Sequence, residues 1–313
     1  MQIGIIGTGM VGSAIAFSIT TEGLADKLIL IDTNNLRAKA EAMDISHAAP
    51  FSLGAVITSG DYQDLKNSDI VIITAGANQK PGETRLDLLN KNVAIFKQII
   101  PEVVKYAPNA ILLIATNPVD VMTEVTLKLS GFAKNRVIGT GTVLDSARFR
   151  SILGRYLCIS PKSIHANVIG EHGDSEVLLW AGAVAGTTPV ERIAKQLNLP
   201  LDEKIKNKID DEVRNAAYTI IEGKGSTYYG IAAATQYIVK AISSDNHTIL
   251  NISSHHDICL DNQTNICFSM PSIISNKGVE AALTPVMNEH EQQALINSAD
   301  KLKEYTLKAL EML

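Results

Sequence analysis

The stretch QIGIIGTGMVGSAIAFSITTEGLADKLILID, residues 2–32, decides the fold. It opens on an apolar run, QIGIIG, passes through a glycine turn into the helical pattern MVGSAIAFSITTEG, and returns to a second apolar run, KLILID. The turn GTGMVG sets Gly7, Gly9 and Gly12 in GxGxxG spacing between a predicted strand and a predicted helix. In that setting Gly7 permits the tight turn, Gly9 lets backbone approach a pyrophosphate, and Gly12 lets helix and sheet pack closely, while phosphate charge meets the helix N-terminus. Met10 and Val11, inside the motif, join the three glycines as candidate cofactor contacts. The second run ends in Asp32, where a carboxylate can accept hydrogen bonds from both ribose hydroxyls and would repel a 2′-phosphate. The cofactor predicted is NAD rather than NADP.

Outward from this stretch the alternation continues through DIVIITAG, AILLIAT and RVIGTG. These runs are almost wholly apolar, which marks parallel strands covered by helices on both faces. The fold class expected is α/β: a doubly wound parallel Rossmann sheet over residues 1–143, followed by a mixed α/β substrate domain over residues 144–313. In the C-terminal segment Leu295, Ala299, Leu302, Thr306 and Leu310 form one helical stripe, expected to pack on the second domain. No repeat or Pro/Ser-rich linker interrupts the chain, so the halves should share an extensive interface.

Composition narrows the classes further. With 313 residues, 46% of them hydrophobic, the chain can bury sizeable cores. A net charge of −5 argues against nucleic-acid binding, which needs a positive face. No run reaches the length of a membrane span, and Met1 leads straight into a strand-like run instead of a signal core, so a soluble cytoplasmic protein is expected. Cys158, Cys259 and Cys267 are an odd count without metal-like clustering, which favours free thiols and no metal site.

Polar segments follow the apolar runs, where open α/β sheets bind ligands: ANQKPGETR (77–85), ATNPVD (115–120), DSARFR (145–150) and GEHGD (170–174). With KGSTYYGIA (224–232) they resemble the L-lactate and malate dehydrogenase family over essentially the whole chain, and most closely its NAD-dependent bacterial lactate dehydrogenases. The resemblance implies that His172 donates and accepts the substrate proton, that Asp145 pairs with it, and that Arg148 forks onto the substrate carboxylate. It implies that Asn117 hydrogen-bonds the substrate oxygen beside the cofactor, that Thr227 walls the pocket, and that Ile231 packs on the nicotinamide. Arg85 matches a loop arginine that swings in to polarise the reacting carbonyl, with Gly76 and Gly82 lending the loop freedom.

Gln79 stands where the family's malate dehydrogenases carry an arginine for a second carboxylate. A neutral side chain there would leave that carboxylate unpaired in a closing pocket, at about 3–5 kcal/mol, so pyruvate and L-lactate are favoured. The rival readings are a broader L-2-hydroxyacid dehydrogenase for larger uncharged ketoacids, a malate dehydrogenase, and a nucleotide-binding regulator without catalysis. Arg150 and His165 match positions that bind fructose 1,6-bisphosphate between subunits in effector-activated relatives, and a homo-oligomer, dimer or tetramer, is expected. WAGAVAGTTPVERI (180–193) departs most from the family's wording, and with the first strand-like run starting almost at Met1 the extended N-terminal arm of the animal enzymes is not expected.

Overall fold

A computed structural model describes residues 1–77, 85–256 and 265–313, with Arg85 described in its backbone alone. The chain runs β1 (Gln2–Ile6), α1 (Met10–Thr21), β2 (Lys27–Ile31), α2 (Asn35–Ser46), β3 (Val56–Ser59), β4 (Ile70–Ile73), α3 (Arg85–Tyr106), β5 (Ile111–Ile114), α4 (Val119–Ser130) and β6 (Val137–Gly139). There follow α5 (Val143–Leu157), β7 (Ile164–His165), β8 (Val168–Ile169), β9 (Val177–Leu178), β10 (Val184–Ala185), β11 (Thr188–Pro189), α6 (Val190–Gln196), α7 (Glu203–Lys224) and α8 (Tyr229–Ser244). The chain closes with β12 (Thr248–His256), β13 (Ile266–Ser275), β14 (Gly278–Ala282) and α9 (Glu289–Leu310).

The parallel strands stand in the order β3-β2-β1-β4-β5-β6, the doubly wound arrangement the apolar runs predict. Their side chains alternate between two cores, as the period of a strand requires. Ile3, Ile5, Leu28, Leu30, Ile70 and Ile72 pack with Ile15 and Ile19 of α1 and with Ile238 and Val239 of α8. On the opposite face Ile6, Ile29, Ile31, Val71 and Ile73 pack with Phe96 and Val103 of α3 and Met122 and Val125 of α4. Each such fully buried side chain contributes about 1.5–3 kcal/mol, so neither face of the sheet can shift register without loss.

Three features go beyond the sequence reading. β3 is an edge strand with only Ile57 buried, too short and polar to register as an apolar run. β12, β13 and β14 extend the same sheet as antiparallel strands, joined to β6 by the pairing of Ser253 with Gly139, so one nine-stranded sheet runs through both halves of the chain. On the C-terminal stripe, Leu295, Ala299, Leu302 and Thr306 are buried, Leu310 is half-buried and Ala309 takes the inward position. The stripe does not pack on the second half alone, as expected: α9 lies against α3 and α4 as well as β9 and β13. Leu295 and Leu302 share a core with Phe96 and Val121, and Lys97 Nζ donates to the Met312 carbonyl at 2.8 Å. The reason is that α3 and α4 leave an apolar face outside the sheet that only a later element can cover.

Among the described residues no helix is long and apolar enough to cross a membrane.

Candidate active site

The glycine turn after β1 adopts the geometry its spacing implies. Gly7 has φ +96°, and a side chain on Gly12 would lie 1.9 Å from the Gly7 carbonyl oxygen, so helix and strand meet too closely for any other residue. Gly9 differs, because a Cβ built there meets nothing within 4 Å. It N-caps α1 with no side-chain cap and no acidic residue in the first turn, leaving open space beside backbone N–H groups, as a pyrophosphate needs. Asp32 Oδ2 accepts from the Thr8 N–H at 2.7 Å and the Thr8 hydroxyl at 3.1 Å, and Oδ1 accepts from the Asn34 N–H at 2.9 Å. Burial pushes this carboxyl up, but the hydrogen bonds from Asn34 and Thr8, with Arg37 nearby, hold it below the usual range. The site is anionic and oriented, which fits a ribose diol.

Thr74 and Thr116 stitch the ends of the central strands. The Thr74 hydroxyl donates to the Gly7 carbonyl at 2.7 Å, and that of Thr116 to the Ala75 carbonyl at 2.8 Å. Asn92 of α3 ties the loop after β4 to the turn after β5, accepting from the Ala77 N–H at 2.8 Å and donating to the Asn117 carbonyl at 2.7 Å. Asn92 is 1% exposed, whereas the Asn117 side chain stays exposed, so its carboxamide is presented on a fixed backbone. The sequence reading missed Asn92, whose only signal is a polar residue inside an apolar helical face. Gln79 and Gly82 lie outside the described residues, as does the side chain of Arg85, whose backbone begins α3.

Asp145 lies in the first turn of α5, where the helix dipole favours negative charge. Its Oδ2 meets His172 Nδ1 at 2.6 Å, and its Oδ1 accepts from Arg148 Nη1 at 2.8 Å. The segment holding His172, between β8 and β9, is pinned from several sides. The Thr142 hydroxyl donates to the Val168 carbonyl, the Val168 N–H donates to Ser146 Oγ, and Gly170 and Ser269 exchange backbone hydrogen bonds. The His172 N–H donates to Asp120 Oδ2 at 2.8 Å, and the Glu171 N–H to Ser298 Oγ at 2.9 Å. An imidazole held this way keeps Nδ1 on Asp145, and its side chain stays 25% exposed.

Charge follows from this packing. Burial would drive a proton off His172, but the charge and hydrogen bond of Asp145, with Asp120 and Glu176 beyond, push it up to about 9. Asp145 is held low: burial opposes its ionisation, and His172 and Arg148 outweigh burial. Asp120 is pushed by burial up to about 6, against the hydrogen bond from the His172 N–H and the charge of His172. Asp120 stands inside the quoted ATNPVD, yet nothing in that string marks it as a support for His172. Asp145, His172 and Glu176 offer ligand-type atoms within 4.8 Å of one another, but the Arg148 guanidinium on Asp145 opposes a metal cation there. Glu124, His255 and Cys267 make a second such group that the widely spaced cysteines did not betray. Cys267 is a buried free thiol and Cys158 an exposed one, while Cys259 lies outside the described residues.

Thr227 lines a cavity of about 440 Å³ with Thr219, Ile220, Lys224 and Tyr228, between the end of α7 and the start of α8. Ile231 is half-buried in the first turn of α8, which packs on α1 and α5. The structure thus brings together His172, Asp145 and Arg148 directly, and Asp32 with the glycine turn through Thr8.

Family models match the chain on both sides of the connection between β6 and α5. Residues 1–139 match the lactate/malate dehydrogenase NAD binding domain, and residues 142–312 match the alpha/beta C-terminal domain of the same family. The chain belongs to the lactate/malate dehydrogenase family. Its N-terminal part is an NAD-binding domain, as the glycine turn and Asp32 predict. An L-lactate dehydrogenase of Allorhizobium ampelinum is 50% identical over 307 residues, 98% of this chain and 99% of that protein. One of Thermus aquaticus is 46% identical over 97% of each chain. The crystal structure of the minor L-lactate dehydrogenase from Enterococcus mundtii in its ligands-bound form superposes with a TM-score of 0.94 at 37% identity, covering 98% of each chain.

Proposed function

We propose that this chain is an NAD-dependent L-lactate dehydrogenase that interconverts pyruvate and L-lactate. The observation that carries the reading is Asp145 held between His172 at 2.6 Å and Arg148 at 2.8 Å, which couples a proton donor on the segment after β8 to a carboxylate anchor on α5. The names of the relatives, at 43–50% identity over nearly the whole chain, support the substrate.

NADH supplies the hydride when bound. Gly7, Gly9, Met10, Val11 and Gly12 would hold its pyrophosphate end, Asp32 its ribose, and Asn117 and Ile231 its nicotinamide end. Arg148 uses one edge of its guanidinium on Asp145 and has further N–H donors for the substrate carboxylate. His172, charged at neutral pH, gives its Nε2 proton to the oxygen of the ketone, and Asp145 holds the resulting imidazole by Nδ1. Asn117 and Arg85 stabilise negative charge growing on that oxygen. In the reverse direction neutral His172 takes the proton back. Gln79 excludes a second substrate carboxylate, and Thr227 closes the pocket wall.

Residues 1–143 would then serve the cofactor and 144–313 the substrate, in a homo-oligomer working in the cytoplasm. Fructose 1,6-bisphosphate would bind at Arg150, partly exposed on α5, and His165, exposed on β7. The deciding assay follows NADH absorbance after adding pyruvate, oxaloacetate or a branched 2-ketoacid. Pyruvate is expected to be reduced fastest. Preference for oxaloacetate, or no oxidation with any of the three, would overturn the reading.

A further inference from the structure

Glu176 is a carboxyl that this mechanism leaves unused. It lies four residues beyond His172, just before β9, and is 4% exposed. The Nη1 of Arg214, on α7, donates to its backbone carbonyl, which fixes the segment without touching the carboxyl. One carboxylate oxygen of Glu176, one ring nitrogen of His172 and one oxygen of Asp145 lie within 4.8 Å of one another. Among the described residues no donor reaches Glu176 Oε1. A buried carboxyl short of donors is costly as an anion. Burial, then the charge of Asp145, push it up to about 8, against the pull of His172, Arg214 and Arg148. The charged groups that face it therefore come from its own loop, from α5 and from α7.

We propose that Glu176 is a positioning residue for the proton transfer: a buried acid that keeps the His172 imidazolium charged in alkaline solution by acquiring negative charge beside it. The inference rests on the lactate dehydrogenase reading. In neutral solution Glu176 is protonated, and Asp145, with Asp120 beyond it, secures the charge on His172. As the solution becomes alkaline, ionised Glu176 places a second negative charge within 4.8 Å of the pair and opposes loss of the imidazolium proton. The two groups titrate as one coupled system, and the working range for pyruvate reduction extends upward.

The test is the pH profile of pyruvate kcat/KM at saturating NADH for the parent, Glu176→Gln and Glu176→Met. Glutamine imitates the protonated acid, so at about pH 6 this variant should match the parent within about twofold and bind NADH equally well. Its alkaline limb should move down by about half a pH unit or more, a loss of about threefold or more on that limb. Glu176→Met should show the same displacement and decides the matter where the glutamine variant does not fold. A folded variant whose limb stays in place, or whose activity falls by one factor at every pH, overturns the proposal. Titration of the His172 ring by NMR in the same proteins reads the same displacement without turnover. A parent that oxidises no NADH with pyruvate would strike the functional reading, leaving Glu176 to be judged by that ring titration.

Discussion

His172 meets Asp145 at 2.6 Å and His255 meets Glu124 at 2.8 Å, each through Nδ1 and each with a carboxylate on the N-terminal half of a helix. Both histidines are pushed up by their acids. The pairs differ in what surrounds them. The His172 side chain is 25% exposed and its Nε2 has no hydrogen-bond partner among the described residues, whereas the His255 side chain is 4% exposed and its Nε2 meets Asn265 Oδ1 at 2.8 Å. Asp145 gives its second oxygen to the Arg148 guanidinium, while Glu124 has the buried Cys267 thiol within 4.8 Å. A histidine–carboxylate pair is thus no mark of catalysis by itself. The fate of the second ring nitrogen and the cation beside the acid separate a proton donor from a satisfied piece of core.

The sharpest way to break this contrast is to remove each imidazole in turn. His172→Asn should lower pyruvate kcat/KM by about three decades with NADH binding retained, within the range for a lost general acid. His255→Asn should leave kcat/KM within about threefold, since its ring nitrogens meet Glu124 and Asn265 and not Asp145 or Arg148. A comparable loss in both would erase the distinction. Stability should respond in the opposite sense, with His255→Asn costing about 1–3 kcal/mol because Glu124 loses a buried partner. The pH dependence of that cost sharpens it further. The raised His255 contributes fully below its ordinary value of 6.5 and loses that contribution as pH rises through its folded value, and the lowered Glu124 contributes above 4.5 and loses its share as pH falls. The Tm difference between parent and variant should therefore be widest between pH 4.5 and 6.5 and narrow on both sides. A constant difference across pH would show that packing, not the ion pair, is lost. Smallest is Asn265→Ala, which removes one partly solvated hydrogen bond and should cost about 0.5 kcal/mol without touching activity.

The contrast also marks what the sequence made legible. The central strands β4 and β5 announced themselves because both of their faces are buried, so every position is apolar, and the glycine turn because close approach leaves no alternative residue. The residues β12 and β13 put inward are partly polar: Asn251, Ser253, Ser254 and His256 on one strand, Ser269 and Ser272 on the other. Asn251 Nδ2 donates to Ser146 Oγ at 2.7 Å and to Asn167 Oδ1 at 2.9 Å, partners distant in sequence, so no local pattern predicts its burial. His172, Asp145 and Arg148 were legible through the resemblance of their motifs. Their supports were not, because Asp120, Glu176 and Asn92 acquire their parts only when α3, α4 and the segment after β8 converge. Arg85 and Gln79, named from the loop wording, lie where the structure describes no side chain.

The central claim is that His172 carries the substrate's proton, and the pH dependence of kcat/KM measured in both directions tests it most directly. Pyruvate reduction needs imidazolium and should hold steady through neutral pH, then fall as pH rises through about 9. L-Lactate oxidation needs the neutral ring and should fall as pH drops through the same group. Identical profiles in the two directions, after allowance for the proton in the overall equilibrium, would contradict the account.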